Sequence, residues 1–164
     1  MRRRRPGWLL ALARTVSVFS PFKDAVRWVR LPFAEQRITL EALATVIAAR
    51  AAVAALPPAK LSQLVQRAMR SSAPRRGRGV PTNSCTLSSV RIAILRASAR
   101  IPGASCLTQA LAGWWLLRRR GIDSELRVGV NRGGEGLTAH AWLLVEGQVL
   151  LGGRDPEARY VPLG

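Results

Sequence analysis

Apolar residues recur every three or four positions through most of the first 120 residues and then switch to alternate positions, so the chain predicts helices first and a small sheet last. Residues 8–19 and 22–29 carry helical spacing on either side of Ser20-Pro21, a natural break and restart. The longest apolar stretch is 39–56, where Thr39 stands as a candidate cap, Glu41 falls in the first turn and Pro57-Pro58 stops the helix. It approaches the length of a membrane span, but Glu41 and Arg50 interrupt it and Ala contributes little to insertion, so it predicts a core helix and no span. Residues 59–70 predict another helix, with Leu61, Leu64, Val65 and Ala68 on one face.

Residues 71–80, including Pro74-Arg75-Arg76-Gly77-Arg78-Gly79, have the composition of an exposed linker. They divide a helical N-terminal region, 1–80, expected to pack on the rest and to dock a partner, from a second region, 81–164. That second region opens with a helix over 86–99, whose common face is Val90, Ile94, Leu95 and Ser98. Ile101-Pro102-Gly103-Ala104 turns the chain, and the next helix starts at or near Cys106. Leu107, Ala110, Leu111, Trp114 and Leu117 form its apolar face, Arg118-Arg119-Arg120 complements its C-terminal dipole, and Gly121 ends it. Period two then takes over in 126–130, 137–145 and 148–151, the last two joined at Glu146-Gly147. Residues 156–164 read as an irregular tail. The predicted class is α+β, a helical N-terminal half followed by helices packed on a small antiparallel sheet.

A chain of 164 residues suits one compact domain. Its formal net charge of +17 raises nucleic acid as a partner. The cations are nearly all Arg, Lys23 and Lys60 being the exceptions, and most are spread along the chain outside three short runs. No zinc-ligand spacing, stacking aromatics or helix-turn-helix pattern accompanies them, so no specific nucleic-acid site is expected. A basic face for an acidic peptide, a partner protein or anionic lipid is the sharper reading of the charge, and a non-catalytic basic binding module is the competing function. The N-terminus, with Arg2 to Arg5 before an apolar run, imitates a signal peptide; Arg14 cuts the run short and no small-residue cleavage site follows, so a retained amphipathic helix and a cytoplasmic protein are expected. The two cysteines, Cys85 and Cys106, make no disulfide framework, and no metal or cofactor is called for.

The candidate chemistry lies in residues 105–153, which hold Cys106 and the single histidine, His140. Backbone N–H groups and the dipole at a helix start favour an anionic sulfur and can hold an oxyanion. His140 stands in Thr138-Ala139-His140-Ala141-Trp142, and strand parity places it with Trp142 and Leu144 on one face. If that face packs on the Cys106 helix, a thiolate–imidazolium pair follows. A third group should orient the imidazole. A tight turn at Glu146-Gly147 brings Gly152 or Gly153 opposite His140, neither with a side chain to offer, and Asp155 is the nearest carboxylate able to fold back. Cys85, in Asn83-Ser84-Cys85-Thr86, is a rival nucleophile.

A Cys at a helix start followed by a His on a strand is the layout of papain-type and transglutaminase-type enzymes. The run Ile101-Pro102-Gly103-Ala104-Ser105-Cys106-Leu107, then Leu116 to Ile122, Val128-Gly129-Val130 and Ala139-His140-Ala141-Trp142 with the Gly147 turn, resembles the transglutaminase-like leader peptidases of lasso-peptide biosynthesis. The likeness spans about residues 31–153. It implies a cysteine protease in which Cys106 is the nucleophile and His140 its base. It further implies a precursor peptide as substrate and an asparagine-synthetase-like cyclase acting afterwards. Since the N-terminal region shows no strands for a fused leader-binding domain, the split arrangement with a small separate leader-binding protein is expected. The family Asp falls at Gly152, so Asp155, a dyad, or an inactive relative are the open alternatives. A transglutaminase or amidase would share the same thiolate chemistry.

Overall fold

The computed structural model describes residues 33–71, 83–131 and 136–163. The predicted helices over 8–19 and 22–29 and nearly all of the expected linker over 71–80 lie outside the described residues. Within the compact unit Phe33–Gly164, the described elements run α1 (Phe33–Ala55), α2 (Pro58–Ser71), α3 (Ser84–Arg100), α4 (Cys106–Arg118), β1 (Glu125–Asn131), β2 (Thr138–Val145), β3 (Gln148–Leu151), a 3-10 helix (Pro156–Ala158) and β4 (Val161–Pro162). The fold is α+β, as the change of period predicts.

The central element is α4. Thr108, Ala110, Leu111, Ala112, Gly113, Leu116 and Leu117 are all buried along it. It packs on α1 and α3 and lies against β1, β2 and β3. Gly113 marks the closest approach to the sheet, for a Cβ there would stand 2.6 Å from Leu151 Cδ1 and 2.9 Å from Leu143 Cδ2. The helical interior penalty of glycine, about 1 kcal/mol against Ala, is the cost of that approach.

Two features of α1 differ from expectation. The helix begins at Phe33, and Thr39 lies inside it, its Oγ1 donating to Glu35 O at 2.7 Å. Thr39 is therefore no cap; a Thr hydroxyl inside a helix satisfies itself on the preceding turn. By length and hydropathy Glu35–Ala55 would suffice to cross a membrane. One face, with Ala42, Thr45 and Val46, is nevertheless buried in the core of the fold. Pro58 takes the first position of α2, where its missing N–H costs nothing.

The sheet order is β3-β2-β1-β4, all neighbours antiparallel. The tail expected to be irregular supplies β4, which adds Val161 beside Val130 and Pro162 beside Gly129. A proline is tolerated there because β4 is an edge. Glu146 and Gly147 both take positive φ, 51° and 77°, the conformation of a tight type I′ hairpin turn. A bulge between Leu143 and Leu144 then shifts the β2–β3 register, so that Leu143 pairs with Leu151 and Gly152 follows beside Trp142, not opposite His140 as the tight turn alone predicts.

Candidate active site

Ser105 caps α4. Its Oγ accepts from the Thr108 N–H at 3.4 Å and lies 3.2 Å from Thr108 Oγ1, and Thr108 is fully buried. The cap engages the third residue of the helix and leaves the N–H groups of Cys106 and Leu107 without an acceptor among the described residues. Cys106 is half-buried and reduced. The turn that delivers it is held from α1, where Arg50 Nε donates to Pro102 O at 3.2 Å. Gly103, at φ 72°, lets the guanidinium lie against that turn, since a Cβ would come within 2.9 Å of Arg50 Nη2.

His140 comes from the start of β2. The cross-strand pairs put Ala141, Leu143 and Val145 on one face and His140, Trp142 and Leu144 on the other. The first set packs against α4, with Leu143 at Gly113. The conditional expectation is therefore reversed: the histidine's face is turned away from α4. Ala139, His140 and Ala141 instead share with Cys106 the lining of one open, mainly apolar groove of about 720 Å³. Its outer wall is α2, through Leu61, Val65 and Met69. No hydrogen bond joins Cys106 to His140 among the described residues. Catalytic hydrogen bonds commonly tighten only once substrate binds.

The imidazole is held on three sides. His140 Nε2 lies 2.8 Å from the main-chain oxygen of Gly152. The Tyr160 ring stacks on it at a centroid distance of 4.9 Å and an interplanar angle of 26°, and Trp142 lies 6.3 Å away at 19°. Tyr160 carried no signal in the sequence, being a single aromatic in a segment without period. It is positioned by the 3-10 helix, its N–H bonding to Pro156 O at 2.9 Å, and that helix is tied to β1 by the Arg127–Glu157 ion pair.

Asp155 is exposed, at φ 42° and ψ 61°, beside the 3-10 helix, and makes no side-chain cap hydrogen bond. No hydrogen bond joins it to His140. Cys85 is exposed at the start of α3, where the Asn83 side chain accepts from its N–H at 3.0 Å, and it does not line the groove. Among the described residues no cluster of three or more His, Cys, Asp or Glu could hold a metal.

A half-buried cysteine at a helix N-terminus shares a groove with a strand histidine, on helices packed against an antiparallel sheet, an arrangement compatible with a cysteine nucleophile. Residues 25–164 match the transglutaminase-like superfamily, and the chain belongs to it. No curated protein and no solved structure matches the chain.

Proposed function

We propose that this protein is a cysteine peptidase that removes the leader from a ribosomally made lasso-peptide precursor. The observation that carries the reading is the shared groove: Cys106, at a helix N-terminus, and His140 line it together, in a transglutaminase-like chain. The Cys106 thiol gives its proton to His140 as sulfur attacks the scissile carbonyl, and the N–H groups of Cys106 and Leu107 hold the resulting oxyanion. Collapse breaks the C–N bond, the imidazolium protonates the leaving amine, and water hydrolyses the thioester. The apolar groove receives the substrate chain on the α2 side. A small separate leader-binding protein presents the precursor, and an ATP-dependent asparagine-synthetase-like cyclase takes the released core, all in the cytoplasm, where both thiols stay reduced.

The test is cleavage of a cognate precursor, with its leader-binding partner present, followed by mass spectrometry. Cys106→Ala abolishes the product while Cys85→Ala leaves it; persistence of cleavage in the Cys106→Ala protein sinks the assignment. Adding a primary amine separates the two chemistries, since a transglutaminase would join it to a glutamine side chain with loss of ammonia and leave the chain uncut, whereas a peptidase yields two fragments.

A further inference from the structure

The geometry points to the main-chain carbonyl of Gly152 as the group that orients His140, in the place where a carboxylate would stand, with the Tyr160 ring holding the imidazole against it; the kinetic part of the test rests on the peptidase reading above. A carbonyl oxygen can only accept, so the 2.8 Å contact puts the proton on Nε2 and leaves Nδ1 as the bare, basic nitrogen. Nδ1 has no hydrogen bond among the described residues, and it is the nitrogen left to take the thiol proton.

The reason a side chain is not used lies in the backbone. Gly152 has φ 111°, a conformation that L side chains rarely adopt. A Cβ built on it falls 2.3 Å from Trp142 Cβ and 2.8 Å from Trp142 Cα, atoms of the sheet itself that cannot swing aside. The bulge beside Leu143 sets Gly152 opposite Trp142, on the histidine's side of the sheet, and the glycine conformation then presents oxygen, where an ordinary residue would present its side chain. Asp155 does not compensate, its carboxylate being exposed and without a hydrogen bond to His140 among the described residues. Tyr160 is the nearer of the two rings stacked on the imidazole, Trp142 being the other, so that the ring is fixed by one hydrogen bond and these aromatic contacts. Both are positioning groups: neither is placed to exchange a proton with substrate.

His140 being the single histidine makes the test direct, for one set of imidazole signals reports the site in the full-length protein. With histidine labelled by 15N, the neutral ring is expected as the Nε2–H tautomer. Its ring proton should be slowed in exchange with solvent, with nuclear Overhauser contacts to Tyr160 ring protons and a through-hydrogen-bond coupling to the Gly152 carbonyl carbon. The Nδ1–H tautomer, or a ring proton in free exchange, overturns the proposal whatever the substrate proves to be. Gly152→Asp, although it supplies the missing acid, is expected to lose the protected ring proton and to lower kcat; a folded Gly152→Asp protein with raised kcat overturns it. Tyr160→Ala is expected to lower kcat on the order of 10²-fold through a misplaced base, with KM little changed, and Tyr160→Phe to recover most of that loss. Equal kcat in the wild-type and Tyr160→Ala proteins would remove Tyr160 from the proposal. If no precursor is cleaved by any variant while the protected Nε2–H is present, the peptidase reading fails and the orientation of His140 stands.

Discussion

Ser105 does two jobs at one helix end: it satisfies the Thr108 N–H and, by stopping there, leaves the N–H groups of Cys106 and Leu107 open. Ser105→Ala is expected to cost about 1 kcal/mol of stability, the usual worth of an N-cap, read as a lowered urea midpoint with unchanged slope. Cys106 and His140 stood out in the sequence as candidates because each sits in a local pattern, a turn ending in Ser before a helical face and a small-residue strand. The partner of the imidazole was not legible. It depends on a one-residue bulge near Leu143 and on the φ of Gly152, neither of which leaves a mark in the order of residues. Tyr160 was equally hidden, since its reach to the ring is set by a three-residue 3-10 helix and an ion pair from β1.

Two charges in the apolar run of α1, read from sequence as interruptions, act as tethers between elements. Arg50 holds the turn before α4, and Glu41 receives Arg120, just beyond the end of α4, at 2.5 Å, and Arg37 at 3.0 Å. Partial burial pushes the Glu41 carboxyl up, but the hydrogen bonds and charges of Arg37 and Arg120 together outweigh it and hold the group below its ordinary value of 4.5. A depressed carboxyl contributes stability that is complete above the unfolded value and is lost as pH falls through the folded one. Stability measured by denaturant should therefore drop on acidification below about pH 4.5, and Glu41→Gln should lower stability at neutral pH while flattening that part of the pH profile. The element pattern itself was readable: α2 and α4 fall within a residue or two of their predicted bounds, and the turn at Glu146-Gly147 is where the alternation broke. The start of α1 was missed because Thr39 looks like a cap, and β4 because two residues beside an edge cannot show a period.

At the scale of the molecule, α2 stands as one wall of a groove whose other wall is the sheet, and most of its apolar face is only half covered. Val65→Trp should narrow that groove and raise KM for a peptide substrate several-fold while leaving stability within about 0.5 kcal/mol, a split visible by pairing steady-state kinetics with thermal unfolding. The charge of +17 belongs to the same scale. It should give nucleic-acid binding that lacks sequence preference and weakens steeply between roughly 50 and 200 mM salt, measured by anisotropy of a labelled duplex; binding that withstood salt would favour the basic-module reading instead. The α+β class was open to sequence reasoning because the period of the apolar residues changes once, near residue 121. Which face of β2 meets α4 was not, since parity tells which residues travel together and leaves open which set turns inward. The backbone at Gly152 also limits which substitutions the position can accept. Aspartate is a single base change from any glycine codon with C or T in its third position, yet here such a change would meet Trp142 before it met His140. Placing an acid at this position therefore takes at least two changes, a re-set backbone and a reshaped neighbour. The first alone would cost the carbonyl contact the histidine already has.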